Sequence, residues 1–183
     1  ICTSGNAEKL VGSLPKDEKI IFAPDRNLGG YINRITGRNM VLWNGACEVH
    51  DALTADTILR YKQQYPEAKV IAHPECNDTV LQVVDFVGST NAMLKYVKNI
   101  DVKQIIVATE TGIVYQMQIE NPNKEFIIVS NSGCNCNDCR HMKMNTLEKL
   151  YSCLATEKPE IIMNSELIEK AKAPIIRMLE ISK

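Results

Sequence analysis

No run of apolar residues in this sequence approaches the roughly 20 that a membrane-spanning helix needs, and no basic segment followed by an apolar stretch stands at its start. An excess of one charge, the mark of nucleic-acid or membrane-surface binding, is missing too: 21 Lys and Arg stand against 22 Asp and Glu. These absences leave small-molecule chemistry as the default and predict a soluble, cytoplasmic protein with neither nucleic acid nor membrane as partner. The chain also lacks an initiator methionine, opening ICTSGNAEKL at Ile1, so a further segment upstream is expected. A disulfide framework is disfavoured by size, because 183 residues with 45% apolar content can bury a core without staples. Seven cysteines, an odd number with no secretion signal, fit a reducing compartment in which thiols are ligands or sit buried.

Cysteine placement is the most informative feature present. Cys134, Cys136 and Cys139 crowd into GCNCNDCRHMKMN, and Cys47 stands alone in WNGACEVH. The polar company of Asn131, Ser132, Asn135, Asn137, Asp138 and Arg140 argues against burial as small hydrophobes. Soft thiolates in loops suit zinc or an iron–sulfur cluster, with a redox pair of Cys136 and Cys139 as the competing reading. Cys2 and Cys76 carry no such signal, and Cys153, near the apolar stripe of its helix, reads as core or boundary filler. Each histidine lies within three residues of a cysteine: His50 after Cys47, His73 before Cys76, His141 after Cys139. An isolated histidine is usually structural. His73 differs because the HPE turn places its imidazole and the Glu75 carboxylate together just after a strand, as a proton-transfer pair.

Short β-branched runs at Ile20–Phe22, Met40–Trp43, Val70–Ala72, Ile105–Ala108 and Phe126–Val129 read as buried strands. Helical spacing fills the gaps: Leu28, Tyr31, Ile32 and Ile35 share a face that stops at Gly37, and Thr54 can cap a helix ending before Pro66. Such alternation predicts an α/β fold of three-layer αβα domains, parallel sheets flanked by helices, with functional loops at the carboxyl ends of the strands. After Cys139 the pattern turns helical. Asn145 with Glu148 gives a capping signal, Leu147, Leu150, Tyr151 and Leu154 an apolar face, and Pro174 a kink in the last helix. An internal repeat of about 85 residues relates ICTSGNAEKLV to VGSTNAMLKYV and IIFAPD to IIVATE. Both copies pair hydroxyl residues, Thr3-Ser4 and Ser89-Thr90, where a helix start favours an anion; ordinary N-capping is the plain alternative.

Taken together, CTSGNA, FAPDRNLGGY, WNGACEVH, HPEC, DFVGST, ATETG and MKMNTLEKL resemble, in order and across essentially the whole chain, the C-terminal three-fifths of the quinolinate synthase family, the A-type enzymes of NAD biosynthesis. The resemblance implies αβα domains in a pseudo-threefold arrangement, here residues 1–48 of a second domain and 49–138 of a third. Residues 139–183 would be helices packing on an absent first domain. It implies condensation of iminoaspartate with dihydroxyacetone phosphate to quinolinate, with loss of phosphate and two waters. A [4Fe–4S] cluster would act as Lewis acid, held by Cys47, Cys139 and a third cysteine outside this chain. It places Ser4, His73, Glu75, Thr90 and, less directly, His50 around the substrate, with His73 and Glu75 moving protons. Cys134 and Cys136 are then supernumerary and suggest a reversible disulfide. An aspartate oxidase or dehydrogenase supplying iminoaspartate is the implied partner, and a chain without the first domain is expected to be inactive alone. The alternative is a non-catalytic α/β module in which Cys47, His50, Cys136 and Cys139 form a structural zinc site.

Overall fold

A computed structural model describes residues 1–130 and 137–183. They form two units, Cys2–Asp138 and Cys139–Lys183 with Ile1. The expectations placed on Cys134 and Cys136 lie outside the described residues. The fold class is α/β with parallel sheets, and no helix among the described residues is long and apolar enough to cross a membrane.

The first unit opens with α1 (Ala7–Ser13), β1 (Ile21–Phe22), α2 (Arg26–Thr36) and β2 (Val41–Leu42). β1 and β2 pair in parallel, Phe22 opposite Leu42. α2 starts where the Asp25 carboxylate accepts the Leu28 N–H (2.8 Å) and stops, as expected, at Gly37, whose φ of 69° is left-handed. Ala7, Val11, Phe22, Leu28, Ile32 and Met40 form the local core. Arg38 closes the end of α1, its guanidinium donating to the carbonyls of Val11 (3.2 Å), Leu14 and Pro15 (2.7 Å). These strands are less buried than their composition suggested. Ile21, Val41 and Trp43 are exposed, because alternate side chains point to opposite faces and only the Phe22 face is packed.

The rest of this unit is α3 (Glu48–Asp51), α4 (Ala55–Gln64), β3 (Lys69–Ala72), α5 (Asp78–Leu81), β4 (Phe86–Val87), α6 (Thr90–Asn99), β5 (Gln104–Ala108), α7 (Gly112–Glu120) and β6 (Glu125–Ile128). Thr54 caps α4 as expected. The sheet runs β4-β3-β5-β6, all parallel, with Ile71 opposite Phe86 and Val107, and Val107 opposite Ile128. Strand alternation divides its side chains between two cores. Val70, Ala72, Ile106 and Ala108 meet Leu53, Ile58, Val80 and Leu81 on one face; Ile71, Ile105 and Val107 meet Met93, Val97 and Met117 on the other. Helices therefore cover both faces. Lys124 secures the end of α6 by donating to the carbonyls of Val97 (2.6 Å) and Ile100 (2.5 Å).

In the second unit, α8 (Arg140–Lys143), α9 (Leu147–Thr156) and α10 (Ser165–Ser182) follow one another, α10 containing Pro174. Thr146, not Asn145, caps α9: its side chain accepts the Lys149 N–H (3.3 Å). Leu147, Leu150, Tyr151 and Leu154 form the anticipated stripe but are all exposed, and so is Cys153, contrary to its reading as filler. Periodic spacing makes a helix amphipathic; it does not provide the surface that covers it.

Asp85, just before β4, ties the sheet edge together. Its carboxylate accepts from the Val70 N–H (2.9 Å) and pairs with Lys69 (2.9 Å) and Lys62 (3.5 Å). Burial works against its charge, yet the Val70 N–H and the two ammonium groups hold the carboxyl below its ordinary 3.8. Asp85→Ala is expected to cost about 1 kcal/mol in urea unfolding at neutral pH. Because the folded pKa is depressed, that contribution is complete above the unfolded value and vanishes as pH falls through the lower folded one. A difference between parent and variant that persists unchanged at pH 2 would show that the charge plays no part.

Candidate functional site

The carboxyl ends of β4, β3 and β5 lie side by side, stitched by Gly88 N–H donating to Ala72 O (3.1 Å) and His73 N–H to Ala108 O (3.3 Å). Sequence order reverses across these strands, since β4 flanks β3 on one side and β5 on the other. A crevice at such a point is where open α/β sheets bind ligands. His73 follows β3 directly, Thr109 follows β5, and Ser89 and Thr90 follow β4.

His50, on α3, is buried at the centre. Its Nε2 lies 2.9 Å from Thr109 Oγ1, and its ring stacks on that of His73 with centroids 4.6 Å apart. Glu75 Oε2 approaches His50 Nδ1 to 3.1 Å but off the line of a good hydrogen bond, leaving Nδ1 buried without a well-directed partner. The same carboxylate oxygen is 3.8 Å from His73 Nδ1. His73 Nδ1 accepts the Glu75 backbone N–H (3.3 Å), which places the proton of the neutral ring on Nε2, 3.1 Å from Ser4 Oγ. Cys47 caps α3 with its thiol beside His50, and one donor atom each of Cys47, His50 and Glu75 lie within 4.8 Å of one another.

Two stacked imidazoles cannot share a burial site with equal charge. Burial opposes protonation of His50, but the Cys47 thiol and the Glu75 carboxylate beside it outweigh this and push its pKa up to about 9. Burial and the His50 charge push His73 down to about 4. His50 also holds the Glu75 carboxyl below its usual range against the opposing effect of burial, and lowers the Cys47 thiol. At neutral pH the site therefore holds a cationic His50, an anionic Glu75 and a neutral His73. Cys76, one residue on, is fully buried with its thiol against Ala108 O (3.5 Å), and burial pushes it up to about 12.

Ser4, Cys47, His50, His73 and Glu75 are thus brought together in one crevice. Thr90 is exposed in the first turn of α6, and its neighbour Ser89 is the cap, accepting the Ala92 N–H (3.3 Å). The two hydroxyl loops do meet, because a methyl added at Gly5 would sit 3.6 Å from Ser89 Oγ. Ser4 stands ahead of α1, whose first residue is Ala7, and caps nothing. Cys139 belongs to the second unit, where it occupies the N-cap position of α8 and is half-buried.

Several supporting residues escaped the sequence reading. Buried Asp25 uses one carboxylate oxygen to cap α2 and the other to accept the Cys47 N–H (2.8 Å). Asn27 donates to Asp51 (3.0 Å) and to the Glu75 carbonyl (3.0 Å), and Arg26 forks onto Asp51 (2.9 and 3.1 Å). Together they lock the Cys47 loop to the HPE turn. The signal available for Asp25 was its place directly before the α2 stripe, as a helix-capping carboxylate. A separate surface cleft of about 530 Å³ lies at the amino ends of β3, β5 and β6, but its walls are exposed Glu67, Asp101, Lys103 and Glu125 with no convergent chemistry.

Comparison with known proteins agrees over the whole chain. Residues 1–180 match the family described as quinolinate synthetase A protein. Proteins named quinolinate synthase are 50% identical in Chloroherpeton thalassium, 50% in Synechocystis and 52% in Thermosynechococcus vestitus, each over 100% of this chain. The chain spans 58% of the length of these relatives.

The two thiols on either side of His73 should behave differently. In the metal-free chain, iodoacetamide is expected to modify Cys47 at lower pH than an ordinary exposed thiol, while Cys76 stays unmodified until the protein unfolds. Peptide mapping after timed alkylation reads this, and comparable native rates at the two positions would contradict the electrostatics described.

Proposed function

The chain belongs to the quinolinate synthetase A family, and from that premise we propose that it forms part of a quinolinate synthase acting in cytoplasmic NAD biosynthesis. The reaction proposed is condensation of iminoaspartate with dihydroxyacetone phosphate to quinolinate, phosphate and two waters, the imine being supplied by an aspartate oxidase or dehydrogenase. Convergence of Ser4, His50, His73 and Glu75 on one crevice is the observation that carries this reading.

Proton movement falls to His73 and Glu75. Glu75, ionised and less than half exposed, accepts a proton from substrate carbon or nitrogen; neutral His73 donates through Nε2 and regains a proton there. Cationic His50 holds the Glu75 carboxylate in place and balances its charge. Ser4, in the loop before α1, and Thr90, in the first turn of α6, offer hydroxyls to the carboxylate and phosphate groups. Cys47 and Cys139 are half-buried thiols at helix N-cap positions, donor chemistry that fits a [4Fe–4S] cluster completed by a cysteine outside this chain. That cluster supplies one iron without a protein ligand, a Lewis acid toward substrate oxygen. In this reading residues 1–48 and 49–138 are parts of two αβα domains of a pseudo-threefold protein. The helices of 139–183 pack on a third, so the chain alone is inactive.

Anaerobic reconstitution of the full-length polypeptide, followed by iron and acid-labile sulfide analysis, tests the assignment. Four of each per chain are expected, with Cys47→Ser and Cys139→Ser losing them; a full-length protein that takes up no iron and sulfide ends the synthase reading. In the same protein His73→Ala should lower kcat by about 10²–10⁴-fold, and near-normal turnover removes His73 from the chemistry.

A further inference from the structure

We propose that Cys47 Sγ, His50 Nδ1 and Glu75 Oε2 form a binding site for one divalent ion of the zinc class, built entirely within Cys2–Asp138. This site shares only Cys47 with the proposed cluster and does not depend on the synthase reading. Its three donors lie within 4.8 Å of one another. Two of them are already near coordination spacing: with metal–ligand distances of about 2.0–2.2 Å a tetrahedral edge is about 3.3 Å, and His50 Nδ1 lies 3.1 Å from Glu75 Oε2.

The buried Nδ1 is the independent sign. A ring that is 7% exposed keeps this nitrogen without a well-directed hydrogen bond, facing the Cys47 and Glu75 donors. Burying a polar atom unsatisfied is costly, and a cation at that point removes the cost. The opposite ring nitrogen has the partner that a metal-bound histidine ordinarily has. Nε2 lies 2.9 Å from Thr109 Oγ1, and the proton that the cationic ring carries on Nδ1 is released to solvent when the ion takes that nitrogen. The other two donors are held from behind, Cys47 through its N–H to Asp25 and Glu75 through its carbonyl to Asn27.

One thiolate, one imidazole and one carboxylate select a borderline ion such as Zn²⁺ over Mg²⁺ or Ca²⁺, which demand oxygen. Three protein donors leave a fourth position for water or a small ligand, as in catalytic zinc sites. The Cys47 sulfur cannot serve this ion and a cluster at once. Zinc bound here therefore excludes a cluster from that sulfur, and the crevice carries a competing occupancy that one unit can build unaided.

Anaerobic titration of the reduced, metal-free chain with Co²⁺ tests the proposal, using the triple variant Cys134→Ser, Cys136→Ser, Cys139→Ser so that no other clustered thiol contributes. One equivalent should bind with a sulfur-to-cobalt charge-transfer band and tetrahedral d–d bands, and one equivalent of Zn²⁺ should displace it. Cys47→Ser should abolish the charge-transfer band. Glu75→Gln and His50→Ala should each weaken binding at least tenfold, and Thr109→Ala, acting through His50, about tenfold. Glu75 is partly exposed, so Glu75→Gln gives a reading even where His50→Ala disturbs folding, with far-UV circular dichroism as the check. No cobalt binding by the triple variant, or binding that Glu75→Gln leaves unchanged, would overturn the site.

Discussion

The crevice depends on the burial of a single imidazole. His50 sits on a four-residue helix too short to be stable by itself, and every polar neighbour it has comes from elsewhere in the chain or from its own cap. Thr109 meets it from the end of β5, His73 and Glu75 from the turn after β3, and Cys47 from the loop after β2. Its position therefore reports the relative placement of three strand ends. The charges around it follow: cationic His50 holds the Glu75 carboxyl below its usual range, and burial together with the His50 charge keeps His73 neutral.

The loops that carry these groups are rigid because polar atoms tie them together. Asp25 caps α2 and anchors the Cys47 N–H with its two oxygens, while Asn27, on the first turn of the same helix, reaches Asp51 and the Glu75 carbonyl. A helix start in the smaller sheet region thus sets the spacing of a thiol and a carboxylate that belong to different loops. Buried, fully used carboxylates of this kind keep a site in one geometry more effectively than apolar packing, which tolerates small slips.

Much of this was legible from the residues. Five of the six strands among the described residues were marked by β-branched runs, Gly37 and Thr54 by their capping chemistry, and the HPE turn by its place after Val70–Ala72. β4 was missed because Phe86–Val87 is only two residues of edge strand beside β3, with no run to detect. Thr109 was missed because a hydroxyl after a strand has no periodic signature, and its meaning comes only from a partner 59 residues away. The start of α9 was misplaced by one residue, at Asn145 in place of Thr146, since neighbouring polar residues have similar capping propensity and the backbone path decides between them. Burial of the stripe on α9 could not be read at all, because amphipathicity describes one surface and burial requires two.

The backbone N–H that Glu75 donates to His73 has a consequence for direction. With one ring nitrogen committed to the main chain, the imidazole has a single gate, facing Ser4. Protons enter and leave by the same door, so the ring works as a terminus and not as a conduit across the sheet edge. The stacked partner behind it stays electrically live but gives the ring no proton through the stacked faces. A crevice wired in this way confines its acid–base traffic to the side where a ligand would lie, and the protein interior is kept out of the circuit.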